Sequence, residues 1–282
     1  MSANTKIEWA DMTWNPIIGC SMISDGCEFC YARIMAIRLA NMGHEGYSEV
    51  IDSDHEWSGR MYFRKGELKK VAAWKKPRRI FVSSMGDFFH PNAPDEWRDI
   101  VFDTIKDTPH TFIFLTKRPE NAARYLKPKH LGPRIWIGVT AEHQRVAHVR
   151  IPTLLQIPAA VKFVSLEPML GPIDLTRLIH WPTGAINALS GQYVDADGEK
   201  RWPRLDWVIC GGETGTNGRR FEESWASSIR DQCSTYGVPF FFKKKGIYWC
   251  RKHDFHPSGP ENRKVDGSFY EGFPTSTPQQ GD

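Results

Sequence analysis

Cys20, Cys27 and Cys30 constrain this chain more tightly than any other feature. Three of its six cysteines fall within eleven residues, spaced C-x6-C-x2-C, directly after the aromatic and β-branched run Thr13-Trp-Asn-Pro-Ile-Ile18. A helical pattern, Tyr31 to Ala40, follows at once. Clustered thiols in a chain that reads as cytosolic point to a metal or redox centre rather than to disulfides. Three soft thiolates without a close fourth cysteine or histidine suit a cubane iron–sulfur cluster with one open iron. Structural zinc normally takes four protein ligands, and here the obvious fourth is missing. His44, the next histidine, lies beyond the helix in a Gly-rich segment. Cluster, zinc and incidental thiols all remain open on spacing alone.

Length and composition narrow the setting. At 282 residues, 40% hydrophobic, the chain suits one large α/β barrel-like domain or two small ones. No run approaches the ~18 apolar residues of a membrane span, and Met-Ser-Ala-Asn-Thr-Lys lacks a signal peptide's apolar region. The expected location is therefore the cytoplasm, with no membrane partner. A net charge of +4 permits nucleic-acid binding without arguing for it.

Along the chain, short apolar runs ending in small polar residues alternate with helical patterns. The runs are Arg79 to Asp87, Thr111 to Arg118, Arg134 to Thr140, Val161 to Glu167, Asp206 to Glu213 and Val238 to Lys245. Helices are expected at 95–106, 119–126, 142–149, 174–180 and 222–236. Apolar strands alternating with helices indicate a parallel sheet. With the run before Cys20 there are about seven strands, predicting a partial or complete (β/α) barrel in a single domain. A doubly wound open sheet is the alternative. The expected domain covers 1–250, with a basic excursion at 41–79 and an inserted loop at 181–204. In that loop a hairpin turns at Asp197-Gly198. Residues 251–282 read as a polar tail, disordered towards its end from Pro274.

Ligands of parallel α/β folds sit at the carboxyl ends of the strands. Those ends carry Ser83, Ser84 and Asp87; Thr116, Lys117 and Arg118; Thr140 and Glu142; Ser165 and Glu167; Gly211, Gly212 and Glu213; and Lys243. All are expected to face one cavity together with the cysteine loop. Between Arg60 and Arg79 nine basic residues crowd with Trp74 and other aromatics, a pattern able to grip a nucleic-acid backbone or simply to face solvent. Cys210 and Cys233 read as core thiols. Cys250, with His253 and His256, has no diagnostic metal spacing.

The three-cysteine loop, with Phe29 before its last cysteine, resembles that of radical SAM enzymes, although the first gap is longer than their commonest spacing. A wider set of motifs is similar to the phage- and prophage-associated three-cysteine-motif family, a poorly characterised, radical-SAM-like group. These are Trp14-Asn-Pro-Ile-Ile-Gly-Cys20, Gly26-Cys-Glu-Phe-Cys-Tyr-Ala32, Ser83-Ser-Met-Gly-Asp87, Leu115-Thr-Lys-Arg-Pro119, Gly138-Val-Thr-Ala-Glu142, Ser165-Leu-Glu-Pro168, Gly211-Gly-Glu-Thr-Gly215 and Pro239-Phe-Phe-Phe-Lys243. After Lys243 the chain departs from that family's Gln-Trp-Gly with Lys-Lys-Gly246.

The resemblance implies a radical-SAM-type barrel in which Cys20, Cys27 and Cys30 ligate a 4Fe-4S cluster. S-adenosylmethionine would chelate the fourth iron and yield a 5′-deoxyadenosyl radical, with a reductant protein as electron source. It further implies Ser83, Ser84 and Asp87 at the methionyl amino group and Glu142 and Glu167 at the ribose. Phe29, Thr140, Gly211, Gly212 and Glu213 complete the expected cofactor-binding set. Lys117, Arg118 and Lys243 would face an anionic substrate, with DNA or RNA gripped through 60–79. The setting it implies is a bacterial or phage-infected host cell. The competing expectation is a zinc-stabilised nucleic-acid-binding protein of a mobile element.

Overall fold

The computed structural model describes residues 5, 7–180 and 184–274. The chain divides into two compact units, Met1–Trp136 and Ile137–Asp282. The architecture is mixed α/β in both, with the expected parallel strand pairs alternating with helices.

In the first unit, β1 (Met12–Trp14) pairs in parallel with β4 (Arg79–Val82), and β4 with β5 (Thr111–Thr116). Strands covered on both faces read as continuous apolar runs, and β4 and β5 do. The stretch before Cys20 is two strands rather than one. Pro16 lacks the N–H a ladder needs, and beyond it β2 (Ile17–Ile18) leaves the parallel sheet to pair antiparallel with β3 (Tyr62–Phe63). Helices α1 (Tyr31–Asn41), α2 (Tyr47–Val50) and α3 (Leu68–Ala73) lie between β2 and β4 in sequence. Helix α4 (Asp95–Ile105) precedes β5, and α5 (Pro119–Leu126) follows it, with proline at its first position. Phe88, Phe89, Phe102, Phe114 and Tyr125 pack edge-on, tilted or stacked at 4.9–6.4 Å, a core formed by α4, α5, β5 and the turn after β4.

Strand β6 (Ile135–Thr140), buried throughout, leads along the chain into the second unit. There α6 (Gln144–Leu155) is followed by β7 (Val161–Leu166), which pairs in parallel with β12 (Trp207–Cys210), and β12 with β13 (Phe240–Phe242). Helix α7 (Glu223–Thr235) joins the last two strands, and α8 (Ile247–Lys252) follows them. Gly138 lies against Phe163: a Cβ there would sit 2.4 Å from the ring, so only glycine admits the contact.

Residues 174–180 are not the expected helix. The Asp174 carboxylate accepts from the Thr176 amide at 2.8 Å and its hydroxyl at 2.6 Å, forming a turn, and β8 (Leu178–His180) is extended. Local side-chain bonding of this kind competes with helix formation. Within 184–201 the expected hairpin is present: β10 (Gln192–Asp195) and β11 (Gly198–Arg201) pair antiparallel around Gly198, whose φ is +111°. With β8 and β9 (Gly184–Asn187) they form a four-stranded antiparallel sheet. The tail is ordered through Pro274, and Phe273 packs 5.4 Å from Trp207; the disorder expected for 275–282 falls outside the described residues. No helix among the described residues is long and apolar enough to cross a membrane.

Candidate thiol site in the first unit

Backbone contacts hold the cysteine loop in place before any side chain acts. Gly19 has φ +106°, and a Cβ on it would meet the Arg60 carbonyl at 2.3 Å. Gly86, across a parallel bridge, would place a Cβ 2.4 Å from the Gly19 carbonyl. Two glycines therefore let the loop and the turn after β4 touch main chain to main chain. The Gly19 amide donates to Met85 and the Asp87 amide to the Gly19 carbonyl, at 3.2 and 3.1 Å. The Asn15 carboxamide oxygen accepts from the Met85 amide and the Ser84 hydroxyl, and Tyr31, at the head of α1, donates to the Ser84 carbonyl. A one-turn 3₁₀ helix, Asp25–Cys27, then runs into α1, whose N-cap is Cys30. This brings Cys27 and Cys30 one turn apart.

The strand-end residues after β5 meet these thiols. Lys117 Nζ lies 3.3 Å from Cys27 Sγ and 3.4 Å from Ser24 Oγ. Arg118 Nη1 lies 3.7 Å from Cys20 Sγ and 2.9 Å from Asp87 Oδ2, while its Nη2 donates to the Ser21 carbonyl and hydroxyl at 2.9 and 2.8 Å. Asp87 is buried and well supplied with donors: the Phe89 amide at 3.0 Å, the Lys117 amide at 3.3 Å, and the Thr116 hydroxyl, 2.7 and 2.9 Å from its two oxygens. His90, which sequence reasoning passed over, accepts the Asn92 amide at Nδ1. Its Nε2–H is thereby left to donate to Ser21 Oγ at 2.8 Å.

The two faced thiols have opposite tendencies. Burial works against ionisation of Cys27, but the Lys117 charge and the backbone at Ile23 and Ser24 outweigh it, and its pKa falls below the ordinary thiol value. Cys20 is pushed up to about 12 by burial and then by Asp87, against the pull of Arg118. His90 is held down to about 4, first by burial and then by Arg118, so it is neutral at physiological pH. Burial also disfavours the Arg118 charge, yet Asp87 and then Cys20 more than offset this and raise its pKa.

All three cysteines are free thiols, with Cys27 buried and Cys20 and Cys30 half-buried. Three thiols on one loop, with a cation beside each of two of them, have the donor chemistry of a metal–thiolate centre: ligation needs thiolates, and N–H···S donors offset the charge they bring. Ser83 adds a second sign of fit. It is a non-glycine at φ +56°, only 2% exposed, and its Oγ has no hydrogen-bond partner among the described residues. Strained, unsatisfied residues of this kind cluster at functional sites. Phe29 is half-buried in the loop itself. No group of three or more His, Cys, Asp or Glu residues at metal-holding distances occurs among the described residues.

The remaining strand-end candidates belong to the second unit, where each has partners within that unit. Lys243 Nζ lies 3.2 Å from Glu167 Oε1, Ser165 donates to Glu167 Oε2 at 3.3 Å, and Gly211 leaves the space beside that carboxylate. Glu142 is fully buried and takes Arg150 Nη1 at 3.0 Å; the same nitrogen donates to the Thr140 carbonyl. Glu213 is clamped by Arg219, and Gly212 passes so close to the Lys245 carbonyl that a Cβ would lie 2.1 Å away. Lys245, one of the departures after Lys243, is buried; its Nζ lies 2.9 Å from Glu223 and 3.7 Å from the Trp249 ring centroid. Cys210 and Cys233 are buried core thiols, as expected, and Cys250 is buried in α8.

The fold and site thus define a mixed α/β protein with a cation-flanked three-thiol loop. Over residues 4–274 the chain matches the family described as Protein of unknown function (DUF5131), and it belongs to that family. Among curated proteins and solved structures, none matches the chain significantly.

Proposed function

We propose that Cys20, Cys27 and Cys30 hold a 4Fe-4S cluster of the radical SAM type, making the protein an enzyme. The observation that supports this most directly is the placement of Lys117 and Arg118 at 3.3 and 3.7 Å from two of the three thiols. When bound, such a cluster supplies the electron that cleaves the sulfonium of S-adenosylmethionine.

The chain's own residues prepare the thiols. Lys117 favours loss of the Cys27 proton and so eases formation of that ligand. Arg118, fixed by Asp87 and Ser21, offers its guanidinium to Cys20, whose proton is harder to remove. Asp87 acts in this reading through Arg118: its carboxylate holds the cation rather than presenting open lone pairs. Ser83 and Ser84, on the turn that carries the loop, are the candidates for the methionyl amino group, and Ser83 Oγ is the available acceptor.

The test is an anaerobic incubation of reconstituted protein with S-adenosylmethionine and dithionite, followed by chromatography for 5′-deoxyadenosine. Formation above a Cys30→Ala control supports the reading; equal yields from both refute it.

A further inference from the structure

The amino-terminal edge of the same sheet, away from the thiols, carries a separate cavity of about 410 Å³. That volume lies in the range of small-ligand sites. Phe102, Ile105, Phe112 and Ile135 give it an apolar wall. Its basic lining is Lys106, Lys129, His130 and Arg134, against Asp103 as the single carboxylate. Lys106 and Lys129 have acidic neighbours, Asp103 at 3.4 Å and Asp99 at 2.8 Å. Arg134 is exposed and makes no ion pair among the described residues.

His110 also lines this cavity and is fully buried. Its Nε2 meets the Trp74 carbonyl at 3.1 Å, which makes Nε2 the protonated nitrogen and Nδ1 a bare acceptor. Nδ1 has no hydrogen-bond partner among the described residues. Burial, helped by the charges of Arg78 and Arg134, outweighs the ring's interactions with the Trp74 and Val71 carbonyls and holds its pKa below the ordinary value, so it stays neutral. A buried acceptor without a donor is costly, and one lining a cavity is open to a donor from water or from a ligand.

The basic run approaches the same edge. Trp74, whose carbonyl binds His110, is followed by exposed Lys75 and Lys76, and the Arg78 carbonyl accepts the Thr111 amide at the start of β5. The run is therefore divided. The Arg60 carbonyl borders Gly19 beside the thiol loop, Arg64 and Lys70 pair with buried Glu67, and only its end reaches this cavity.

We propose that the cavity binds one nucleotide unit. The base lies against the Phe102 and Phe112 wall and donates an exocyclic amine hydrogen to His110 Nδ1, while the phosphate takes Arg134 and Lys106. Free nucleotide and a unit of a single strand share this chemistry; Lys75 and Lys76 are placed to take the next phosphate of a strand. The inference rests on no part of the thiol reading, since none of these residues touches the cysteine loop.

The experiment is fluorescence anisotropy of full-length protein with a labelled deoxyadenosine dodecamer at low salt, competed with adenosine monophosphate. Wild type binds, and Arg134→Glu weakens binding by about ten- to hundredfold, the loss expected for a charge-assisted phosphate contact. Circular dichroism and iron content of the variant stay at wild-type values. Competition by adenosine monophosphate identifies the free nucleotide as sufficient. Its failure to compete, with loss of binding in Lys75→Glu/Lys76→Glu, identifies a strand. The proposal is overturned if wild type binds neither probe, if Arg134→Glu binds equally well, or if an abasic dodecamer binds as tightly as the deoxyadenosine one.

Discussion

Replacing Asp87 with alanine is expected to damage the thiol site more than replacing Arg118 does. The pair is buried on both sides, with side-chain exposures of 6% and 7% and a separation of 2.9 Å. Without Asp87, the Arg118 guanidinium keeps, among the described residues, the Ser21 oxygens and the Cys20 sulfur, none carrying a compensating full charge while Cys20 is a thiol. Removing one member of a buried pair costs about 3–5 kcal/mol. In Arg118→Met the carboxylate retains the Phe89 and Lys117 amides and the Thr116 hydroxyl, so the loss is nearer that of one charged hydrogen bond, about 1.5–3 kcal/mol. The double variant should then cost less than the sum of the singles, because neither charge is left behind. Urea unfolding of the metal-free proteins, followed by circular dichroism, measures all three. A loss below about 1 kcal/mol for Asp87→Ala, or strict additivity in the cycle, would refute the assignment of Asp87 as the anchor of Arg118.

Gly19→Ala places a Cβ against the Arg60 carbonyl at a positive φ, so it should lower stability by more than about 1 kcal/mol and reduce bound iron. Thermal unfolding and iron assay on the same preparation check both. In metal-free protein, iodoacetamide should alkylate Cys27 faster than Cys20 across neutral pH, because thiolate is the reacting form and the two pKa values are displaced in opposite directions. Lys117→Met should move the Cys27 rate profile to higher pH. A lowered folded-state pKa stabilises above the unfolded thiol's pKa, and this contribution fades as pH falls through the folded value; peptide mapping of the alkylated sites across a pH series reads the shift.

Much of this organisation can be seen in the residues themselves. The run Thr111-Phe-Ile-Phe-Leu-Thr116 and the proline at 119 mark β5 and the start of α5, and local preference and burial agree there. The spacing from Cys27 to Cys30 fits a helical turn because a 3₁₀ turn leads straight into α1. The contacts of Asn15, Ser21 and His90 could not be found this way. They depend on the Gly19–Gly86 approach, which joins segments far apart in sequence, and no local pattern marks it. At 174–180 the apolar spacing admits a helix, but Asp174 bonds Thr176 and the following residues pair with β9. The basic crowding at 60–79 is equally ambiguous in one dimension: three of its members serve the thiol loop and Glu67, and Arg79 starts β4.

The central claim is that Cys20, Cys27 and Cys30 together hold iron. Metal analysis and visible absorption of anaerobically purified wild type, with Cys20→Ala, Cys27→Ala, Cys30→Ala and Cys233→Ala beside it, test it directly. The account predicts brown wild type with about four irons per chain, loss of iron in each of the first three variants, and retention in Cys233→Ala. Colourless wild type carrying stoichiometric zinc, or equal iron loss in all four variants, would contradict it.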